Sequence, residues 1–506
     1  MGALRKLASQ TALYGLSSVI GRLINWLLTP VFVNVFAPEA FGVLQDLYAF
    51  TFYPLIILTF GMETAFFRWA EEKNYANQAY TNALVTVGVL ALGFGVLFGG
   101  FHQLIAVPMG YAGQGHFVLL IVGIILFDSL AALPMARLRF REKARRFALI
   151  SLLNVGITVV LNLFFLFGLG LQDDVSYVLL ANLIASAVRL GFALVGNLPE
   201  TWQPDPAAMR KMQHYGLFIM IAGLAGALNE TLDRNLLPRL WPEEGALWRG
   251  QMLNGFEMNG IYGAVYKLGM FVALATQAFR YAAEPFFFRN AREKNSPRTF
   301  ARIFHYYFLA TLAMFLLIAS FRYEIVAFNF FGLFNFHLIP REYWVGLEAV
   351  PVILAANVCL GAYLNISIWF KLTKQVRYAL LFTGVGAAVT VLGNVLFIPE
   401  YGYMACAWAT FAAYFVMLLL NYLFGQRNYP IPYRFPRLLL YTALAVILVL
   451  INDAITGSHP PPAILSLAKL ILCGALVLGA YALETAYPMD WPTTPQKSDQ
   501  LADGMR

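Results

Sequence analysis

Apolar stretches long enough to cross a bilayer recur about fourteen times along these 506 residues, and no other feature constrains the fold as tightly. A spanning helix needs about 20 predominantly apolar residues. Hydrocarbon offers backbone N–H and C=O groups no partner outside the segment, so each such stretch is committed to helix. The predicted spans cover residues 11–35, 41–62, 81–107, 116–136, 147–170, 175–197, 213–232, 261–287, 303–321, 344–370, 378–397, 402–424, 438–455 and 461–487. Only 12% of residues are charged, against about 25% in an ordinary soluble domain. The fold class implied is an all-α polytopic membrane protein of about 14 transmembrane helices.

Lys and Arg accumulate on cytoplasmic loops, which orients this set of spans. With the N-terminus inside, 25 of the 35 basic residues fall on cytoplasmic segments, five outside and five within spans. Both termini are therefore expected in the cytoplasm, and the first apolar run, which lacks a small-residue cleavage site, is expected to be a span and not a leader. The densest cluster, Arg137, Arg139, Arg141, Lys143, Arg145 and Arg146, follows the fourth span and reads as an orientation signal beside anionic headgroups. The net charge of +8 sits on short loops with no soluble domain, which argues against nucleic acid as a partner. Cys359, Cys406 and Cys473 stand singly in apolar runs, without disulfide or metal-ligand spacing. No Gly-rich phosphate loop ending in Lys-Ser/Thr is present, so direct ATP drive is not expected.

The chain also repeats itself. Gly42, Glu63, Phe66, Phe67, Arg68 and Ala70 return 221 positions later as Gly263, Glu284, Phe287, Phe288, Arg289 and Ala291. Tyr14-Gly15-Leu16 is echoed by Tyr215-Gly216-Leu217, and Arg146-Phe147-Ala148-Leu149 by Arg377-Tyr378-Ala379-Leu380. Duplicated bundles of this kind are a transporter plan in which two halves rock about a shared site. The layout expected is a six-helix lobe over 1–212, a second over 213–430, two further helices over 431–487 and a cytoplasmic tail over 488–506. The offset of the second echo, 201, is about 20 short of the first, so the external segment 233–260 is longer than its counterpart and reads as an interfacial helix or lid.

Tyr14-Gly15-Leu16 through Arg22 to Pro30, Phe41-Gly42, Asp233-Arg234, Tyr262-Gly263 and Lys267-Leu268, in that order and spacing, resemble the polysaccharide transporter (Wzx-type oligosaccharide flippase) family. Its superfamily also holds lipid II flippases and drug and toxin extruders. The resemblance implies two pseudo-symmetric six-helix bundles plus two C-terminal helices. It further implies a bacterial inner-membrane flippase that moves an undecaprenyl-pyrophosphate-linked oligosaccharide outward by alternating access. Such a protein serves surface polysaccharide assembly, of which O-antigen and lipopolysaccharide are examples. Membrane lipids and other polysaccharide assembly proteins are the further partners it suggests.

A lone charge in the bilayer interior usually faces a cavity or a partner. Arg22, Arg189, Lys267, Arg280 and Lys469 are such residues here. Arg22, with Asn25 one turn on, is the leading substrate-phosphate candidate, because guanidinium binds phosphate as a bidentate fork; the competing reading pins it to backbone carbonyls or a nearby carboxylate. Arg280 is a second candidate, although Glu284 at i+4 is placed to neutralise it. Lys267 is a third, and the repeat pairs it with Asp46, opposite in charge, as a candidate outer gate. Lys469 reads as snorkelling to the outer surface. Asp128 and Glu348 are candidates for proton or sodium coupling, with a hydrogen-bonded structural role as the alternative. Pro54, Pro134, Pro285 and Pro351 are expected to bend their spans. Asn154, Asn162, Asn229 and Asn394 are further intramembrane polar groups, most simply helix–helix glue.

No cofactor or metal is implied. The alternatives to an oligosaccharide flippase are a lipid II flippase, a cation-coupled drug exporter and, from another class, a membrane enzyme of polysaccharide assembly. The six His are scattered without triad or metal spacing, which counts against the enzyme.

Overall fold

The computed structural model describes residues 21–486, apart from 22, 25, 73–74, 243, 292, 294, 330–336 and 457–462. Among these, eleven helices are long and apolar enough to cross a membrane. Three features separate this number from the fourteen expected. The first span enters the description only as the short apolar helix Trp26–Val35. The eighth lies within the 36-residue helix Gly255–Asn290, and the eleventh and twelfth run together as Arg377–Asn428. That last element is not one rod, because Gly402 has φ 50° and ψ −135° inside it. A Cβ at Gly393 would lie 2.8 Å from the Ala409 Cβ, whereas 16 residues of straight helix separate their ends by about 24 Å. The chain therefore doubles back at Gly402, where only glycine adopts the backbone comfortably.

The chain divides into two compact units, Met1–Gly260 and Ile261–Arg506. In the first, Pro38–Thr59 ends at Phe60 and Gly61, both left-handed (φ 50° and 63°), and a separate helix, Met62–Ala70, follows. The break lets Pro206–Leu240 close in: a Cβ on Gly61 would meet the Gly216 carbonyl oxygen at 2.6 Å, and one on Gly216 would overlap that of Phe60. Gly216 of the second echo is thus required by backbone-to-backbone packing. Met62, Phe66, Tyr80, Leu133 and Met212 form the core here. At its other end Pro38–Thr59 presses Gly42 against Gly260, and the Asn259 side chain donates to the Gly42 carbonyl at 2.9 Å.

The segment 233–260, predicted to be external, forms no interfacial helix of its own among the described residues. Helix Pro206–Leu240 absorbs its first residues, and Ala246–Trp248 pairs antiparallel with Gln251–Leu253. Trp241 locks this hairpin by donating from Nε1 to the Leu253 carbonyl at 2.9 Å. Asn254 and Glu257 then exchange side-chain-to-backbone hydrogen bonds at 2.7 and 2.9 Å. This is a capping box, and it starts the next helix six residues earlier than apolarity alone marks.

In the second unit an aromatic core of Phe287, Phe300, Phe304, Trp369, Phe382 and Tyr414 holds the helices together. Trp369 is buried and donates to Asn421 Oδ1 at 2.7 Å. Pro351 starts Val350–Ile366 instead of bending it, the position where its missing N–H costs nothing. Residues Arg341–Ala349 before it form a 3-10 helix. The last two helices, Phe435–Thr456 and Ala463–Ala486, pack on Ser296–Ser320.

Candidate functional site

Asp46 sits two turns into Pro38–Thr59 and is fully buried. An isolated carboxylate there is very costly, and the surroundings supply donors. Arg239 reaches Oδ1 and Oδ2 at 2.7 and 2.9 Å as a bidentate fork. Asn235, one turn before Arg239, donates to Oδ1 at 2.7 Å, and the Tyr111 hydroxyl donates to Oδ2 at 2.6 Å. Arg239 also donates to the Met109 carbonyl at 2.6 Å and lies over the Phe50 ring at 4.9 Å. Burial first, then the adjacent carboxylate, pushes the Tyr111 phenol far above its ordinary range, so it stays a donor. The assembly ties Pro38–Thr59 and Pro206–Leu240 to the 107–114 segment, at the end of the unit predicted to face outward.

Arg239, Asn235 and Tyr111 were not among the sequence candidates. Arg239 falls within the 233–260 segment predicted to be external, and its sequence signal is its i+4 spacing from Asn235, legible once the helix is known to reach Leu240. Asp46, the expected gate partner of Lys267, is engaged within its own unit by these three residues. Lys267 lies half-buried on Gly255–Asn290.

The other candidates are paired or fall outside the description. Arg22 and Asn25 lie outside the described residues. Arg280 meets Glu284 at 3.3 Å, as its i+4 spacing predicted, but Glu284 also accepts from Lys371 at 2.6 Å. Asp128 is 3.4 Å from Arg189, so these two intramembrane charges neutralise each other. Glu348 lies in the 3-10 segment and accepts from the Tyr403 hydroxyl at 2.9 Å. Lys469 does not snorkel: it is buried and donates to the Ser320 carbonyl and to Glu324, both at 3.1 Å. A carboxylate within reach makes the buried position the better one. His305 is buried 3.3 Å from Glu484. Asn162 and Asn394 bond back to carbonyls of their own helices at 2.7 and 2.8 Å. Asn77, Asn82, Asn197, Asn235 and Asn421 are among those that bond between elements.

In the basic cluster Arg137 is buried, not lipid-facing. It donates to the Asn197 and Leu198 carbonyls at 3.1 and 2.6 Å and stacks over the Tyr80 ring at 4.3 Å. Among the described residues no group of His, Cys, Asp and Glu is arranged to hold a metal ion. The interactions that the described site does contain are ion pairs and hydrogen bonds inside a helix bundle.

Comparison with known proteins adds the following. Residues 7–291, more than half the chain, match the profile of the family described as polysaccharide biosynthesis protein. No curated sequence matches. Among solved structures, the chain is similar to the lipid II flippase MurJ in an inward closed conformation, at 13% identity and TM-score 0.68, covering 94% of this chain and 98% of that one. It is similar to an inward-facing multidrug resistance MATE family transporter of the MOP superfamily at 15% identity and TM-score 0.60, covering 82% and 94%. A MOP superfamily transporter from Pyrococcus furiosus, described as having a binding pocket of reversed polarity, aligns at 15% identity and TM-score 0.56, covering 83% and 95%. At such identities the likeness establishes a shared transporter fold.

Proposed function

Because this chain belongs to the polysaccharide biosynthesis protein family and has a multi-pass transporter fold, we propose that it is a flippase for a lipid-linked oligosaccharide. The substrate is an undecaprenyl-pyrophosphate-linked sugar, carried from the inner to the outer leaflet of a bacterial inner membrane by alternating access. The family match over 7–291 carries this reading. The protein performs no covalent step and takes no cofactor; both termini face the cytoplasm, and other assembly proteins receive the product.

Arg22, Asn25 and Arg280 are the proposed contacts for the headgroup, and Lys267 adds a further cation. At the outer gate, Asp46 exchanges its Arg239 fork for Lys267 as the lobes rock. Asp128 and Glu348 are the proposed points of proton or sodium coupling. A second reading, lipid II as the substrate, is favoured by one observation: the lipid II flippase aligns with 94% of this chain and the multidrug transporter with 82%. The same difference counts against drug export.

The test is headgroup accessibility of a fluorescent undecaprenyl-pyrophosphate oligosaccharide in proteoliposomes. Wild type is expected to expose the headgroup on the opposite face with the lipid chemically unchanged, and Arg22→Ala to fold normally while losing most of the rate. Movement of lipid II alone selects the second reading. No movement of either lipid overturns the flippase assignment, and a covalently altered product replaces it with an enzyme.

A further inference from the structure

The duplication carries an ion pair with it. Glu63 and Glu284 are repeat mates, and their neighbours Phe66 and Phe287, Ala70 and Ala291 are buried in both copies, so the same helix face turns inward in each unit. Each glutamate meets a cation at the end of the helix two spans later. Arg139, in the last turn of Gly115–Phe140, lies 2.5 Å from Glu63. Lys371, at the end of Ile368–Leu372, lies 2.6 Å from Glu284. Arg139 precedes the repeat landmark Arg146 by seven residues and Lys371 precedes its mate Arg377 by six. The residue types and the register differ, while the pairing of charge is the same.

The first pair also spans an interruption of the backbone. In the first unit the glutamate-bearing segment Met62–Ala70 is cut off from Pro38–Thr59 by the left-handed residues Phe60 and Gly61. In the second, Gly255–Asn290 is continuous, and Lys371 lies in the short segment Ile368–Leu372, which follows Val350–Ile366 through Ser367 in helical conformation (φ −58°, ψ −9°). The short segment beyond a break lacks the stiffness of a continuous helix, and an ion pair to a neighbouring span restores its position. The four side chains are 34% and 40%, and 29% and 38%, exposed. Pairs this exposed contribute little to global stability, which leaves local positioning as their use.

We propose that Glu63 with Arg139, and Glu284 with Lys371, are two copies of one positioning clamp that stays closed throughout the transport cycle. Each clamp fixes the predicted cytoplasmic end of a duplicated span to the helix two spans on, so that each unit moves as one body. The transport cycle itself rests on the flippase reading above.

The experiment uses the full chain with Cys359, Cys406 and Cys473 replaced by Ala, in proteoliposomes. Glu63→Cys with Arg139→Cys, and separately Glu284→Cys with Lys371→Cys, are joined by a short bifunctional thiol reagent. The joined proteins are expected to flip substrate within about twofold of the unjoined parent at each pair, a change no larger than an exposed ion pair produces. Loss of transport on joining, regained on cleaving the linker, overturns the proposal by showing that the pair must open. The charge swap Glu63→Arg with Arg139→Glu is expected to recover transport lost by either single change; no recovery also overturns it. If wild type moves no lipid, the flippase reading fails by itself. The clamps are then read from the joining itself in the purified cysteine-pair variants: near-complete joining by the short reagent in both units supports the proposal, and failure to join in either unit overturns it.

Discussion

At the residue scale, the charges within the spans and at their ends divide into those whose partners were visible in the sequence and those whose partners were not. Arg280 and Glu284 are four apart, and their pairing was legible. Arg189 finds Asp128 across 61 residues and Lys469 finds Glu324 across 145, separations at which a single sequence holds no distance information. Asp46 shows what such hidden partners do. Removing one member of a buried pair leaves an uncompensated charge, a loss of about 3–5 kcal/mol. Arg239→Ala, which strands a fully buried carboxylate, is expected to cost that much in thermal unfolding of the detergent-purified protein. Asp46→Asn is expected to cost less, because the amide oxygen still accepts a hydrogen bond and Arg239, about a quarter exposed, still reaches solvent. Arg239→Lys is expected to fall between the two, since an ammonium cannot reproduce the two-pronged contact. Equal losses for Arg239→Ala and Asp46→Asn contradict this account of the site.

At the scale of elements, apolar run length placed nearly every described helix but not its ends or joints. Ends depend on polar atoms that hydropathy ignores: Asn254 and Glu257 start a helix, and Pro351 begins one where a bend was expected. Joints depend on glycines whose purpose appears only against a neighbour. Gly42 and Gly260 are the sharpest case, because a Cβ on Gly42 overlaps the Phe256 carbonyl and comes within 2.9 Å of the Gly260 nitrogen. Backbone cannot swing aside as a flexible side chain does, so Gly42→Ala is expected to destabilise by at least the about 1–3 kcal/mol typical of overpacking. Gly88 provides the control. It lies within helix Ala76–Gly100 with nothing within 4 Å of a new Cβ, so Gly88→Ala is expected to stabilise by roughly 0.5–1 kcal/mol through helix propensity. Unfolding midpoints of the two variants in one detergent decide the matter, and a Gly42→Ala protein as stable as wild type removes the close-approach argument.

For the whole molecule, duplication and membrane class were legible from the start, whereas the attachment of the last two helices was not. Those helices have no repeat mates, so no internal comparison pointed to their contacts. Two polar staples hold them to Ser296–Ser320 and its flanks, one at each end. At the end predicted to face outward, Lys469 meets Glu324, Arg322 meets Asp453 at 2.8 Å and Asn452 donates to Ser320 at 3.0 Å. At the other end, Glu484 accepts from Tyr441 at 3.0 Å beside His305 and Arg437. Hydrocarbon gives apolar helices no reason to prefer each other over lipid, so polar contacts of this kind are what specify the docking position. Lys469 and Glu324 allow the idea to be tested as a cycle. Lys469→Met leaves Glu324, about four-fifths buried, without its ammonium, and is expected to lower unfolding stability by about 3–5 kcal/mol. Adding Glu324→Gln removes the stranded charge and is expected to recover most of that loss, since a buried pair replaced as a unit is often close to neutral. A double variant no more stable than Lys469→Met alone means that the ammonium serves Ser320 or the surrounding fold and not the carboxylate, and the outer staple then reduces to Arg322 with Asp453.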